Sequence, residues 1–564
     1  MGNDRYVIVG GVAGGMSAAA RLRRLDENAE IVVLEAGPEV SFANCGLPYY
    51  VGGEITSGDD LLVQTPASLK ASLNLDVRPN HRVTALDASA HTVHVVGPDG
   101  EFDLTYDQLV LSPGAEPMRP RIDGLDKPYV RTLRTVDDAK AVRDLALGVD
   151  GAPATAAVVL GAGFIGLEAA EALRLRGLDV TLVEFAPHVL PPLEKEMASL
   201  VTDELKRMGI AVIDGMAAAA ITDDGGRAKV HLADGRSIMA DLVLLSTGVA
   251  PATAPFKACG LECDDRGAIL VDEYGRTNLP DVFAVGDAVA SIDAVTWVRR
   301  PVPLAGPANR AGRLVADVIA GAPSRPIPHP LGTAIVRVGQ LTVAMTGANR
   351  ASLTSAGITF TTIHTHPLGH AGYFPGAKQV HLMVHIGEDG RLLGAQGVGE
   401  QNVDKRIDVL ATAMRAGLKA PDLIDLDLCY SPPYGSAKDP VNMIGFLADN
   451  VLSSQLRLWQ PDELDWARQD AFLLDVRSAS EFASGHLPEA VNIPHTQLRA
   501  RLDEVKAAAA GRPIAVTCQS GVRSYIAHRI LAAAGLQSSS LSGGMLTVRA
   551  WLGSDDMLIK GKQS

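Results

Sequence analysis

The chain has 564 residues, 47% of them hydrophobic and 21% charged, and a formal net charge of −14. That length accommodates roughly four domains of about 150 residues. The acidic balance offers no bulk attraction to nucleic acid or anionic lipid, so any anionic ligand must be held by local Arg or Lys.

Tyr6-Val7-Ile8-Val9 opens a strand so early that no leader peptide is expected ahead of it, and the sequence reads as cytoplasmic. The strand leads into Gly10-Gly11-Val12-Ala13-Gly14-Gly15, a helical pattern over Met16 to Leu25, and a second strand, Ile31 to Leu34. Glu35 follows 20 positions after the last glycine, where it can bond a ribose hydroxyl. Val12 replaces the second glycine of the usual fingerprint.

The pattern then recurs. Residues 156 to 184 run strand, Gly161-Ala162-Gly163-Phe164-Ile165-Gly166, a helix through Leu175 and a strand Val180 to Val183 ending at Glu184. This is a full GxGxxG between a strand and a helix, a setting in which backbone amides meet a pyrophosphate. Each unit closes alike, on Leu109 to Ala115 and on Leu242 to Val249, and each has a hairpin signal before that, Gly97 to Gly100 and Ala233 to Gly235. The most apolar stretch, 155 to 182, is interrupted by Glu168, Glu171, Arg174, Arg176 and Asp179, so no membrane span is expected.

These residues resemble the two-dinucleotide, glutathione-reductase-like flavoproteins. Ser41-Phe42-Ala43-Asn44-Cys45-Gly46, with one cysteine, resembles the branch holding coenzyme A disulfide reductases, persulfide or polysulfide reductases, NADH oxidases and NADH peroxidases. Leu473 to Arg477, Glu481-Phe482, Gly485 to Pro488 and the turn Cys518 to Ser524 resemble a rhodanese domain. The resemblance implies an α/β protein with two tandem Rossmann-like domains, FAD-binding over 1–115 and 251–324 and NAD(P)H-binding over 116–250. An α+β dimerisation domain at 325–450, a linker at 451–464 and an α/β rhodanese domain at 465–564 complete it. A homodimer with active sites at its interface is implied, with no nucleic-acid or membrane partner.

By the same resemblance, FAD would be held by Gly10, Val12, Ala13, Gly14, Gly15 and Glu35, with Asn44, Val83, Ser112 and Gly114 beside them. Gly286, Asp287, Leu304 and Ala305 complete that site, Asp287 bonding the ribityl chain. The nicotinamide nucleotide would meet Gly161, Gly163, Phe164, Ile165, Gly166, Glu184 and Gly248. The Glu184 carboxylate favours NADH over NADPH, because it repels a 2′-phosphate.

Five cysteines, at 45, 259, 263, 429 and 518, are too few and scattered for a disulfide framework. Cys45 has no neighbouring cysteine, so its oxidised form is a mixed disulfide with a small thiol, a sulfenic acid or a persulfide. Cys518, read as exposed, stands between a strand and a helix from about Tyr525, where loop amides, the helix dipole and Arg523 stabilise a thiolate or persulfide. The spacing to Arg523 makes a small cradle, suited to sulfane sulfur.

Coenzyme A is implied as the thiol carrier. Arg21 and Arg24 are candidates for its phosphates, or else a solvated helix face, with Ser17, Ser41 and Asn44 nearer the thiol. Tyr373 and Tyr430 resemble residues that reach the partner subunit's flavin site. His364, His366 and His370 read as a loop by the substrate, Cys429 as buried, and no metal site is expected. The preferred reading is an NAD(P)H-dependent flavoenzyme reducing persulfide, polysulfide or coenzyme A disulfide. An NADH oxidase or peroxidase and a sulfur-trafficking persulfide carrier are the alternatives.

Overall fold

The computed structural model describes residues 4–149 and 151–560. The chain forms two compact units, Met1–Pro187 with Met208–Gly332, and His188–Arg207 with Thr333–Ser564.

The first unit holds two parallel sheets of the same build. In one, Arg5–Val9 lies between Glu30–Leu34 and Gln108–Leu111, with Val282–Ala284 and Asp76–Arg78 at the edges. In the other, Ala156–Leu160 lies between Asp179–Val183 and Leu242–Leu245, with Ala211–Ile213 and Val130–Arg131 outside them. The central strands are almost wholly apolar because both faces are covered. Each sheet is accompanied by a three-stranded antiparallel meander, Arg82–Thr105 and Ser237–Ala240 with its two preceding strands, and the expected hairpins fall at their turns.

The glycine turns repeat to the same detail. Gly10 and Gly161 have φ of +102° and +100°, and a Cβ there would lie 2.0 Å from Ser112 O and 2.4 Å from Ser246 O. No other residue fits so close to the neighbouring strand end. Val12, by contrast, has φ −115° and precedes the helix Ala13–Leu25, so a side chain is tolerated and the degenerate fingerprint folds like the full one. That helix begins three residues before the expected Met16.

In the second unit an antiparallel sheet runs in the order Ala334–Val338, Leu341–Gly347, Leu392–Gly399, Val380–Ile386, Thr361–Thr365. The helices Val403–Ala416 and Pro440–Leu452 bury their apolar faces on it. The helix Lys195–Arg207 belongs to this unit although the sequence sets it inside the second nucleotide repeat. Its Glu196 pairs with Arg350 at 2.5 Å, and Glu194 N donates to Gln396 at 2.8 Å.

The C-terminal sheet is parallel, ordered Leu458–Trp459, Ser538–Leu541, Ile514–Thr517, Phe472–Asp475, Val491–Asn492. Residues 451–464 are therefore more than the expected linker. Trp459 is 1% exposed, packs in the core of this domain, and donates its Nε1 to Val516 O at 3.2 Å. Asp475 and Arg477 form a buried pair at 2.7 Å, and Arg477 also donates to Gly485 O, which joins two of the expected motifs. Among the described residues, no helix is long and apolar enough to cross a membrane.

Candidate functional site

Cys45 sits in the 3-10 turn Asn44–Gly46, which runs straight into the helix Leu47–Gly52. The segment is pinned on both sides: Ser41 N donates to Gly11 O at 2.8 Å and Ala43 N to Leu61 O at 2.7 Å. Ser41 has φ +48°, an uncommon conformation for a residue with a side chain. Cys45 is exposed and lines a cavity of about 1160 Å³.

From Cys45 and Asn44 the cavity passes Gly10, Val12, Ala13 and Gly14 to reach Glu35 and Val83. Ser112, Gly114, Gly286, Asp287 and Ala305 line it too. Gly15 and Leu304 stand outside its wall. A Cβ on Gly15 would lie 2.0 Å from Gly10 O, beneath the turn, and Leu304 precedes the helix Ala305–Ile319 as its N-cap.

The donor set fits FAD. The helix Ala13–Leu25 starts without a side-chain cap, which leaves amides for a pyrophosphate. Glu35 takes Gly11 N at 2.7 Å on one oxygen and Gly37 N at 2.8 Å on the other, fixing a carboxylate at the ribose end. Burial pushes the Asp287 carboxyl up while Arg134 draws it down. The volume exceeds that of an ordinary small-ligand pocket.

Ser17, Arg21, Arg24 and Ser41 line this same cavity. Arg21 Nε donates to Asp317 at 2.6 Å and Ser17 Oγ to Asn309 at 2.9 Å, whereas Arg24 is exposed. Part of the positive charge expected for a phosphate is thus already matched by a carboxylate.

Although Cys45 is exposed at the cavity surface, the protein around its sulfur displaces water and pushes the thiol up, and the carboxylates of Glu168 and Asp287 push the same way against a backbone hydrogen bond. Glu168 lies on the second glycine helix, Phe164–Leu175, and accepts from Tyr49 Oη at 2.9 Å. Sequence reasoning missed both residues. They are 119 positions apart, and the packing of two helices is what brings them together.

The second glycine turn mirrors the first. Glu184 accepts from Ala162 N at 2.5 Å and from Ala186 N at 2.7 Å. Gly163 precedes the helix Phe164–Leu175, again with no side-chain cap, Ile165 is 41% exposed, and Gly248 has φ +106° at the end of the neighbouring strand.

In the second unit, Tyr373 and Tyr430 are exposed and their hydroxyls lie 3.0 Å apart. The bond to Tyr430 raises the Tyr373 phenol above its ordinary value. Cys429, expected to be buried, is exposed next to them.

Cys518 is buried, 1% exposed, which corrects the expectation of an exposed thiol. Its Sγ accepts from Gly521 N at 3.2 Å and lies 3.3 Å from Ser524 Oγ, which Ser540 Oγ meets at 2.8 Å. The following helix starts at Val522 rather than Tyr525, because Gly521 takes a left-handed conformation that ends the turn early. Arg523 spends its guanidinium on both oxygens of Glu481, each at 2.7 Å, which holds that carboxyl down to about 2. His364 and His366 lie not on a substrate loop but in and beside the strand Thr361–Thr365, His364 at 3% exposure, and His370 is buried as well.

Three family models match the chain: pyridine nucleotide-disulphide oxidoreductase over residues 4–310, the dimerisation domain of that family over 333–440, and a rhodanese-like domain over 460–550. A coenzyme A disulfide reductase of Staphylococcus haemolyticus is 35% identical over all of its length and 79% of this chain. An NADH oxidase of Methanocaldococcus jannaschii is 34% identical over all of its length and 80% of this chain. Two solved structures match almost end to end. Reduced Bacillus anthracis CoADR-RHD has 40% identity and a TM-score of 0.94, covering 98% of this chain and 99% of that one. An NAD-dependent persulfide reductase from A. fulgidus has 37% identity and a TM-score of 0.89, covering 96% and 99%. With its paired glycine turns, lone Cys45 and C-terminal Cys518 turn, the chain belongs to the pyridine nucleotide-disulphide oxidoreductases, in the coenzyme A disulfide and persulfide reductase family that carries a rhodanese domain.

Proposed function

We propose that this protein is an NADH-dependent, FAD-containing reductase of coenzyme A persulfide and coenzyme A disulfide, acting through Cys45, with Cys518 handling sulfane sulfur. The observation that carries the reading is a single cysteine in the wall of the cavity that fits FAD. With no neighbouring thiol, Cys45 must exchange with the substrate's own sulfur.

Bound FAD supplies the two-electron link between nicotinamide and sulfur. The Cys45 thiolate attacks the sulfane sulfur of R–S–SH, forming the Cys45 persulfide as R–S⁻ leaves. Two electrons from NADH then cleave that S–S bond, freeing HS⁻ and restoring the thiolate. The sum is R–SSH and NADH going to R–S⁻, HS⁻, NAD⁺ and H⁺. Coenzyme A disulfide reacts alike, with a mixed disulfide in place of the persulfide.

The exposed Tyr373–Tyr430 pair supports a homodimer in which each subunit lends its phenols to the partner's Cys45. There they orient the sulfur substrate and steady the leaving thiolate. Arg24, Ser17 and Asn44 would meet the coenzyme A arm, Glu184 would prefer NADH, and the protein would work in the cytoplasm. An NADH oxidase is the second reading, favoured by the Methanocaldococcus relative.

Anaerobic NADH oxidation with coenzyme A persulfide, coenzyme A disulfide or polysulfide, and separately with air, tests this when sulfide is quantified. Sulfide released in step with NADH, lost in Cys45→Ser and kept in Cys518→Ser with preformed persulfide, is expected. Turnover with oxygen alone and no sulfide would make the protein an oxidase.

A further inference from the structure

Two consecutive glycines stand between the Cys518 turn and the antiparallel sheet of the dimerisation domain. The helix Gly544–Leu552 starts there, and its first amides grip the cysteine turn: Met545 N donates to Cys518 O at 2.8 Å and Leu546 N to Gln519 O at 3.1 Å. A Cβ on Gly544 would lie 2.5 Å from Cys518 O. A Cβ on Gly543 would lie 2.7 Å from the His364 Cβ and 2.7 Å from His366 Nε2. Both residues have positive φ, +70° and +67°. One glycine faces the histidines and the next faces the cysteine.

The histidines hold the residues flanking this pair. His364 N donates to Ser542 Oγ at 3.0 Å, and Nδ1 lies 2.8 Å from the same oxygen. Its Nε2 lies 2.7 Å from Glu196 Oε1, which fixes the ring. His366 Nε2 lies 2.8 Å from Thr547 Oγ1, and its Nδ1 is 2.9 Å from His381 Nδ1. Ser542 and Thr547 are thus clamped on either side of the two glycines.

We propose that His364 and His366 are positioning residues for Cys518, fixing through Ser542 and Thr547 the backbone from which the sulfur cradle is built. The inference rests on Cys518 being the sulfane-sulfur carrier. The cradle depends on an amide set 3.2 Å from Sγ, and small displacements of such groups are costly to transfer chemistry. The sulfur site is therefore completed from outside its own domain.

The test uses full-length, FAD-loaded protein with three readouts: thiocyanate formed from coenzyme A persulfide and cyanide, NADH oxidation with coenzyme A disulfide, and the pH profile of iodoacetamide alkylation at Cys518 by peptide mass spectrometry. His364→Leu removes the ring contacts to Ser542, Glu196 and Arg350, Thr547→Val removes one hydroxyl at constant shape, and His364→Asn restores a polar atom towards Ser542. In the Leu and Val variants the kcat for thiocyanate falls about tenfold with KM little changed, as expected for lost orientation. The alkylation midpoint moves, His364→Asn recovers most of the loss, and disulfide reduction stays at the parent level. Unchanged thiocyanate kcat and alkylation profile would overturn the proposal, and so would a parallel fall in disulfide reduction. Should His364→Leu fail to fold, Thr547→Val decides. If the parent forms no thiocyanate, the carrier reading fails, and the alkylation profile still decides the positioning.

Discussion

The hydroxyls of Tyr373 and Tyr430, 57 residues apart in the chain, lie 3.0 Å from each other on exposed loops. Such a pair acts as one device, since each phenol sets the orientation of the other's proton. Tyr373→Phe and Tyr430→Phe should each lower kcat for coenzyme A persulfide about tenfold or more, as loss of a proton-donating side chain does. The double variant should be hardly slower than either single one, because residues that act as a unit are not additive. Steady-state kinetics of the three variants checks this.

The carboxylate of Glu168 opposes ionisation of Cys45, after the larger effect of burial. Removing that negative charge stabilises the thiolate, so Glu168→Gln should move the Cys45 midpoint to lower pH. Below the midpoint, alkylation of Cys45 should be faster than in the parent at the same pH. The rate of iodoacetamide labelling against pH reads the shift.

Glu184 both faces the nucleotide turn and accepts two backbone amides, Ala162 N and Ala186 N. Glu184→Gln keeps one acceptor oxygen and turns an NH2 group towards the other amide. The KM for NADH should rise about tenfold, in line with the loss of a charge-assisted bond. Preference over NADPH should shrink, measured as the ratio of the two kcat/KM values.

Burial holds His381 down to about 4 and holds His366 well below the ordinary histidine range. In the unfolded chain these rings protonate near pH 6.5, so acid favours unfolding: their contribution to stability is constant above about pH 6.5 and falls by up to about 1.4 kcal/mol per pH unit for each ring below it. The thermal midpoint of the parent should drop from pH 6.5 to 5, and His381→Asn should flatten that drop. Melting curves across this range, at fixed ionic strength, provide the measurement.

What could be read from the sequence was local in origin. The two glycine turns, the acidic residue closing each repeat and the Cys45 turn depend on a few consecutive residues, and each forms as expected, with Val12 tolerated because its position needs no positive φ. Glu168 was hidden because its partner Tyr49 comes from another element. Cys518 reads as exposed in the sequence, yet Ser524 and Ser540 pack behind it and the start of the helix Gly544–Leu552 packs against its carbonyl. His364 and His366 looked like loop residues from their Pro and Gly neighbours. Their ring contacts come from Ser542, Thr547 and Glu196, all more than a hundred residues away.

Residues 453–457 alone separate the helix Pro440–Leu452 from the strand Leu458–Trp459 at the edge of the C-terminal sheet. Gln460 donates to Thr362 O at 2.9 Å, and Tyr525 donates to Asn450 at 2.9 Å. A connection this short, fastened on both sides, gives the C-terminal domain no leash on which to swing. On the role proposed for Cys518, its sulfur would be handed on by a small diffusing thiol rather than by a swinging domain.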